Sequence, residues 1–420
     1  MKRNIIITLL LCAVSINGLI LPAYANSIDD VLTIKQNILN SKGGSTLDIN
    51  GDNRVDVLDL ISLKQEVIDS ASLKDYYATK EYVKLISRYS IKDDTTWLNQ
   101  SGSAIEFNFT GTKLNLNILG DTSCGTQNPP RYAILFNDTV LVDKLITSKT
   151  EEVSVIDSDS TVSGVVKVIK LTEANCGSIG IKNISVISDS TTPITPTDKK
   201  DLTIEFVGDS ITCAYGVEAK DQTETFSSST ENFVKSYAYL TAQRLNADYS
   251  TLCYSGNGVH SGFTSDGVIN LRDTIPTKYE GVSTQWEYKD LSWNFESNPV
   301  DVVLLNLGTN DYSYLKYDLS GRSDDYILSY IEFLKLIRKY NPNAKIVCTM
   351  GLMGGQEVFA YIQEAIAEYS SQTNDYEVYS FMLSAQSLDN GIGADWHPSA
   401  KSQRLCSDEV VENIQKILNS

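Results

Sequence analysis

LTIEFVGDSITCAYG, residues 202 to 216, is the stretch that decides the fold of this chain. It begins with a short apolar segment, Leu202–Val207, that predicts a buried strand, and it continues through Gly208-Asp209-Ser210 into a helix. Three more short apolar segments follow at intervals, namely Val302–Leu307, Ile346–Thr349 and Val378–Met382. Strands that alternate with helices predict a parallel sheet covered on both faces, with its active site beyond the carboxyl ends of the strands.

Helical patterns separate these strands. One places apolar residues on a single face, and those residues are Tyr326, Ile327, Tyr330, Ile331, Leu334 and Ile337. Two more helices are predicted near Glu357–Glu368 and Gln403–Leu418. The α/β domain is therefore expected to span residues 200–420.

Polar motifs follow the strands of this domain. Gly208-Asp209-Ser210 ends the first strand, Ser255-Gly256-Asn257-Gly258 follows the apolar stretch Tyr249–Tyr254, and Gly308-Thr309-Asn310-Asp311 ends the next strand. Asp395-Trp396-His397-Pro398 precedes the last helix. Because the carboxyl ends of parallel strands meet at one edge, we expect these motifs to form one site.

The residue types in these motifs are those of acyl transfer. A serine hydroxyl needs a base that takes its proton, and histidine titrates near neutrality. The chain has two histidines, of which His397 is the predicted base for Ser210, whereas His260 is interpreted as a polar surface residue. The predicted donors to the developing oxyanion are the Ser210 N–H, the Gly256 N–H and the Asn310 amide.

These four motifs resemble the blocks of SGNH hydrolases. More narrowly, Gly208–Gly216, Ser255-Gly256-Asn257-Gly258-Val259 and Asp395-Trp396-His397-Pro398 resemble carbohydrate esterase family two. The resemblance covers about residues 82–420. It implies a β-sandwich of jelly-roll type before an SGNH domain with a flavodoxin-like parallel sheet. It also implies acetyl esterase activity on xylan, glucomannan or related saccharides, with Ser210 as nucleophile, His397 as base and no cofactor.

The chain departs from the wider SGNH pattern at the triad acid. That pattern has an acid three residues before the histidine, where this chain has Ala394, and the aspartate follows one residue later as Asp395. Two arrangements are therefore open. Asp395 completes a Ser–His–Asp triad, or the site is a Ser–His dyad whose imidazole is oriented by a backbone carbonyl.

Three tryptophans are candidates for stacking on sugar rings, because an aromatic face suits the CH-rich face of a pyranose. Trp396 is preferred as the substrate-binding residue, since it adjoins His397. Trp286 and Trp293 are equally interpreted as core residues.

A strand-rich segment precedes the α/β domain, over residues 82–187. Its predicted strands are Ala104–Phe109, Lys113–Leu119, Tyr132–Phe136, Val165–Leu171 and Ile179–Ile187, and their spacing predicts a β-sandwich. Residues 188–199 are polar and rich in Pro and Thr, and they are predicted to be a linker. Cys124 and Cys176 lie in this predicted domain as a candidate disulfide, whereas Cys213, Cys253, Cys348 and Cys406 are predicted to be buried thiols.

The amino terminus predicts export. Lys2 and Arg3 precede an apolar run, and Ala23-Tyr24-Ala25 follows as a small-x-small cleavage pattern, so residues 1–25 are predicted to be a signal peptide. We therefore expect a secreted, extracellular protein. Its formal net charge of −18 argues against nucleic acid and anionic membranes as partners and suits a neutral substrate.

Residues 26–70 predict a small helical module with one calcium loop. Oxygen ligands at loop positions 1, 3, 5, 7, 9 and 12 can wrap Ca²⁺, and these are Asp48, Asn50, Asp52, Arg54 through its carbonyl, Asp56 and Asp59. With its two helical patterns the module resembles a dockerin that retains one loop of two. The resemblance implies a cohesin as a candidate partner and association with a cellulosome.

Two other functions remain open on sequence alone. A lipase-like or thioester-cleaving SGNH hydrolase would use the same motifs on longer or different acyl groups. A non-catalytic carbohydrate-binding component of a scaffold would not need Ser210 at all.

Overall fold

A computed structural model describes residues 72–420 of the chain and, before them, Ile61. These residues form two sheets, a ten-stranded antiparallel sheet followed by a five-stranded parallel sheet. The predicted signal peptide, residues 1–25, lies outside the described residues. So does the predicted calcium-binding module, residues 26–70, apart from Ile61.

The antiparallel sheet takes up the first part of the described chain. Its strands are β1 (Lys74–Tyr77), β2 (Lys84–Ile86), β3 (Tyr89–Lys92), β4 (Thr95–Leu98), β5 (Ala104–Gly120), β6 (Arg131–Phe136), β7 (Thr139–Leu145), β8 (Thr150–Lys170), β9 (Ile179–Ile187) and β10 (Ile194–Pro196). Their order is β3-β4-β9-β5-β8-β6-β7, with β1 paired to β9 and both β2 and β10 paired to β5.

The predicted β-sandwich is corrected to one curled antiparallel sheet. β5 pairs with β8 along its length, while its other edge pairs first with β2 and β10 and then with β9. The sequence predicts two strands where β5 is one, because Gly111 suggests a turn. The structure has a bulge between Gly111 and Lys113, which shifts the buried face from Phe107 and Phe109 to Leu114 and Leu116 without ending the strand.

The parallel sheet confirms the flavodoxin-like prediction. Its strands are β11 (Thr203–Gly208), β12 (Asp248–Cys253), β13 (Val302–Asn306), β14 (Lys345–Met350) and β15 (Val378–Met382), in the order β12-β11-β13-β14-β15. The α-helices are α1 (Ser210–Cys213), α2 (Tyr237–Arg244), α3 (Thr309–Leu315), α4 (Leu319–Tyr340), α5 (Phe359–Thr373) and α6 (Ala400–Leu418).

Alternation along β11 sends its side chains to both faces of this sheet. Ile204 and Phe206 pack in one core with residues of α2 and α6, and Val207 packs in a second core with residues of α4 and α5. Helices on both faces leave the carboxyl ends of the strands as the open edge. The strand order reverses between β11 and β13, so this edge is also where a cleft forms.

The two sheets share buried surface. Ala104, Leu135 and Leu171 of the antiparallel part belong to the same core as Ile204 and Phe206. The predicted linker, residues 188–199, contains β10, and Ile194 there is 3% exposed. This stretch is therefore fixed to β5 over three residues.

The six cysteines of the described chain are all buried free thiols, so Cys124 and Cys176 form no disulfide. Over the same residues, no helix has both the length and the apolar character that crossing a membrane requires.

Candidate active site

Ser210 begins α1 at the carboxyl end of β11. The Asp209 carboxylate accepts a hydrogen bond from the Ile211 N–H at 2.9 Å and so caps this short helix. The helix ends after one turn at Ala214, whose φ is +62°. The serine hydroxyl is thereby held at the edge of the sheet where the cleft forms.

His397 follows a strained turn. Asp395 and Trp396 have φ values of +48° and +68°, a region that non-glycine residues rarely adopt. This turn directs the Ala394 carbonyl back toward the histidine, where it accepts the His397 backbone N–H at 2.9 Å. The backbone that carries the ring is thus fixed before any substrate arrives.

Ser210 and His397 form a hydrogen-bonded pair. The His397 Nε2 lies 2.8 Å from the Ser210 Oγ, and its Nδ1 lies 3.0 Å from the Ala394 carbonyl oxygen. Because a carbonyl only accepts, Nδ1 must carry the proton, which leaves Nε2 free to accept the serine proton. The geometry is that of a general base beside its nucleophile.

The charge state of His397 favours this role. Burial lowers the pKa of His397 to about 4, while the Ala394 carbonyl and the negative charge of Asp395 act in the opposite direction. The ring is therefore neutral at pH 7, which is the form that accepts a proton.

Asp395 does not orient the imidazole, so this geometry is that of the dyad and not of the triad. Its Oδ2 instead accepts hydrogen bonds from the Tyr215 hydroxyl at 2.7 Å and the Phe226 N–H at 2.9 Å. The Tyr215 ring stacks on the His397 ring with centroids 4.0 Å apart. Asp395 therefore acts on His397 through Tyr215 and through its charge.

Two of the predicted oxyanion donors are free. No acceptor within the described chain bonds the N–H of Ser210 or of Gly256. Gly256 has a φ of +78°, and a Cβ at this position would have no heavy atom within 4 Å, so the space in front of the turn is open. Glycine is favoured here by the backbone conformation.

The Asn310 amide links the neighbouring loops. Its Nδ2 donates to Asp209 Oδ2 at 3.1 Å and to the Asn257 carbonyl at 2.9 Å. The structure thus brings Asn310 to the predicted site, but both of its N–H groups already have acceptors. To donate to an oxyanion, the Asn310 amide would have to break its hydrogen bond to Asp209 or to Asn257.

Asp311 holds the loop after Gly256. Its carboxylate accepts the N–H groups of Val259, His260 and Ser261 at 2.7 to 3.1 Å, although it lies within α3. Asp209, on the other side of Asn310, is fully buried, and burial with the nearby Asp311 charge raises its pKa to about 7. Two buried carboxyl groups thus fix the loops on either side of the site.

His260 lies apart from the dyad. Its Nδ1 bonds the Ser329 hydroxyl at 2.8 Å and its ring packs near Tyr314. It is partly buried against α4, which corrects its interpretation as a surface residue.

The three candidate tryptophans have different environments. Trp396, beside His397, is 58% exposed, whereas Trp293 is 8% exposed and packs edge-on against Tyr89 in the core. Trp286 is 80% exposed, with the Lys289 ammonium 4.8 Å from its ring centre. Trp396 is therefore an exposed aromatic residue directly before His397 in the chain.

Sequence reasoning missed the roles of Tyr215, Phe226, Asp209 and Asp311. Tyr215 and Asp209 lie inside the Gly208–Gly216 motif, so the motif signalled them without showing what they contact. Phe226 carries no sequence signal. Asp311 and Val259 lie in quoted motifs, but their contact joins residues 52 positions apart, which the motifs do not show. Among the residues that the structure describes, no group of three or more His, Cys, Asp or Glu is placed to hold a metal ion.

Comparison with known families agrees with the two-part fold. Residues 206–405 match the GDSL-like Lipase/Acylhydrolase family, and residues 86–196 match the Carbohydrate esterase 2 N-terminal family. An acetyl xylan esterase from the rumen bacterium Butyrivibrio proteoclasticus has the same fold, with a TM-score of 0.75, 22% identity and coverage of 83% of this chain and 99% of that chain. The chain thus has the two-domain architecture of family two carbohydrate esterases.

Two characterised relatives align with parts of the chain. A cellulase/esterase, CelE, from Acetivibrio thermocellus is 28% identical over 323 residues, which are 76% of this chain. An acetylxylan esterase / glucomannan deacetylase from Cellvibrio japonicus is 26% identical over 234 residues, which are 52% of this chain. The alignments span 37% and 60% of the lengths of these two relatives.

Proposed function

We propose that this chain is a family two carbohydrate esterase that removes O-acetyl groups from plant cell-wall polysaccharides such as xylan and glucomannan. One observation carries the proposal, namely the 2.8 Å contact between the Ser210 hydroxyl and a neutral His397 whose other nitrogen bonds the Ala394 carbonyl. The named activities of the relatives support the acetyl group and the polysaccharide.

The chemistry follows from the positions of these groups. The Ser210 Oγ attacks the acetyl carbonyl as its proton passes to His397 Nε2, and the free N–H groups of Ser210 and Gly256 face the oxygen that gains charge. The proton then goes to the departing sugar hydroxyl, which leaves acetyl-Ser210. Water, deprotonated by the same imidazole, releases acetate and restores the serine.

The experiment is acetate release from acetylated xylan and acetylated glucomannan by the wild type and by Ser210→Ala. We expect release by the wild type and a loss of about 10³-fold or more in the variant, because the nucleophile is gone. Unchanged release in Ser210→Ala would overturn the proposal and favour a carbohydrate-binding component with contaminating activity.

The preferred length of the acyl chain distinguishes a deacetylase from a lipase-like enzyme. Matched acetyl and butyryl esters of one alcohol are compared with the same enzyme. Faster cleavage of the acetyl ester supports a deacetylase, and faster cleavage of the butyryl ester supports a lipase-like enzyme.

We also propose that the protein is secreted after removal of residues 1–25 and that one Ca²⁺ binds the loop Asp48–Asp59 of a dockerin-like module, whose candidate partner is a cohesin. The sequence pattern alone supports these proposals, because the loop lies outside the described residues. Calorimetric titration of the full chain should show one calcium site that Asp48→Ala abolishes, and protein from the culture medium should begin at Asn26. Absence of calcium binding in the wild type would contradict the assignment of residues 26–70 as a dockerin-like calcium module.

A further inference from the structure

A buried carboxylate from the antiparallel domain reaches the oxyanion loop of the catalytic domain. Glu173 lies between β8 and β9 and is 3% exposed. Its Oε2 accepts a hydrogen bond from the backbone N–H of Ser255 at 2.8 Å and another from Asn175 Nδ2 at 3.1 Å. Ser255 directly precedes Gly256, whose N–H has no acceptor within the described chain.

The turn at Gly256 depends on few contacts. The Gly256 carbonyl accepts the Phe263 N–H at 2.8 Å, and the Ser255 carbonyl accepts Asn257 Nδ2 at 3.0 Å. The backbone N–H of Ser255, at the start of this turn, donates to the Glu173 side chain. Because Glu173 is buried and lies 2.8 Å from the Ser255 nitrogen, this contact fixes the peptide that leads into Gly256.

The backbone of Glu173 is itself fixed by two hydrogen bonds. Its backbone N–H donates to Glu231 Oε2 at 2.9 Å, and its carbonyl accepts the Lys170 ammonium at 2.8 Å. Lys170 and Glu231 are both fully buried. Burial raises the pKa of both Glu231 and Glu173 above their usual range and lowers the pKa of Lys170, so the three groups form one coupled buried cluster.

We propose that Glu173 is a positioning residue for the oxyanion site, contributed by the antiparallel domain. Through the Ser255 N–H it sets the direction of the Gly256 N–H toward the ester oxygen. The inference rests on the proposed esterase function, which supplies the oxyanion. It gives the antiparallel domain a part in catalysis, separate from any role in binding polysaccharide.

Two substitutions of Glu173 distinguish the effect of side-chain length from the effect of negative charge. Glu173→Gln keeps the length of the side chain and an oxygen that accepts the Ser255 N–H. Glu173→Asp keeps the charge but withdraws the acceptor by one methylene. Tyr249→Phe is the matched control, because it removes a different buried bond between the domains, from the Tyr249 hydroxyl to the Gly102 carbonyl at 2.9 Å.

Two rates are measured for each protein. One is kcat and KM for acetate release, expressed per active site. The other is phosphonylation by a p-nitrophenyl phosphonate, in which the Ser210 Oγ attacks phosphorus, its proton passes to His397 and p-nitrophenolate leaves. The amount of nitrophenolate counts active sites, and the rate reports the same N–H donors whatever ester is the natural substrate.

We expect Glu173→Asp to lower kcat per active site and the phosphonylation rate by about 10- to 100-fold, with KM within about threefold, because a misdirected donor affects mainly the transition state. Glu173→Gln should stay within about threefold of the wild type, as should Tyr249→Phe. A wild-type rate in Glu173→Asp, or a loss in Glu173→Gln as large as that in Glu173→Asp, would overturn the proposal.

The two readouts keep this inference separate from the proposed function. A wild type that is phosphonylated but releases no acetate contradicts the deacetylase assignment. The order of phosphonylation rates among the variants still decides whether Glu173 positions the oxyanion donors. Counting active sites removes any loss that arises from misfolded protein.

Discussion

A peptide carbonyl carries no net charge, so it selects the tautomer of His397 but stabilises an imidazolium less than a carboxylate does. In this chain the Asp395 carboxylate lies two positions before His397 and accepts hydrogen bonds from Tyr215 and Phe226 instead. Orientation and charge, which one aspartate supplies in a triad, are therefore supplied by two different residues.

Asp395→Asn tests this division at the residue scale. Loss of a triad aspartate costs about 10⁴-fold in kcat, because the histidine then takes the wrong tautomer. Here Ala394 sets the tautomer, and an asparagine oxygen can still accept from Tyr215, so we expect kcat within about tenfold of the wild type. Steady-state kinetics on an acetyl ester measures this, and a loss near 10⁴-fold would restore the triad.

The pH profile tests the state of His397. The neutral ring is the active base, so activity should fall as pH drops through its pKa, with kcat/KM half-maximal at about pH 4. Asp395→Asn should move this acid limb to lower pH, because the Asp395 charge raises the pKa of His397. A wild-type limb near the ordinary value of about 6.5, measured where circular dichroism shows folded protein, would contradict the assignment.

At the scale of elements, the turn that carries His397 packs against the turn that ends α1. Gly216 has a φ of +55°, its carbonyl accepts the Ala394 N–H at 3.1 Å, and a Cβ on it would lie 2.3 Å from the Ala394 Cβ. The nucleophile and its base are thus coupled through Gly216 and Ala394. The carbonyl that orients the imidazole belongs to the residue that would be displaced.

Gly216→Ala should therefore lower kcat by about 10- to 100-fold, since small displacements of catalytic groups are costly. Gly354→Ala is the control, because Gly354 also has a positive φ, +93°, but a Cβ there meets no atom within 4 Å. It should lose stability and keep kcat. Wild-type kcat in folded Gly216→Ala would show that the two turns are not coupled.

Elements with strong local patterns were predictable. The strand at Val378–Met382 matches its predicted bounds, and the strand after Leu202 differs by one residue at each end. The sequence pattern divides β5 in two because a bulge and a turn both favour glycine, and only the pairing of β5 with β8 and β9 distinguishes them. Ile194 in β10 is buried by β5, which a Pro- and Thr-rich composition does not indicate.

At the scale of the whole molecule, a buried ion pair crosses between the domains. Arg88, between β2 and β3, is fully buried and bonds Glu205 of β11 at 2.9 Å. Its other amino group donates to the carbonyls of Tyr279 and Gly281. This ion pair therefore ties the antiparallel domain to an inner strand of the parallel sheet, and we expect the two domains to unfold together.

Arg88→Met should destabilise the protein by about 3–5 kcal/mol, because it leaves the Glu205 carboxylate buried without an opposite charge, bonded closely only by the Tyr279 hydroxyl. Urea unfolding should remain a single transition. The double variant Arg88→Met, Glu205→Gln should recover part of the loss, since it removes the unpaired charge. A change below about 1 kcal/mol in Arg88→Met would contradict the role of this pair.

The catalytic pair was predictable because each motif follows a strand and such ends meet in a parallel sheet. The dyad was only one of two open arrangements, because the path of residues 394–397 depends on a strained turn. Glu173, Arg88 and Asp311 contact residues 50 to 193 positions away, and no local pattern marks such contacts. These residues required the structure.

The central claim is that Ser210, activated by His397, carries the acetyl group. It is tested by acid-quenching the enzyme during turnover of acetylated glucomannan and mapping its peptides by mass spectrometry. The account predicts one acetyl group on the peptide with Ser210 in the wild type and none in Ser210→Ala. Acetate released at the wild-type rate by Ser210→Ala, or an acetyl group trapped on another residue, would contradict it.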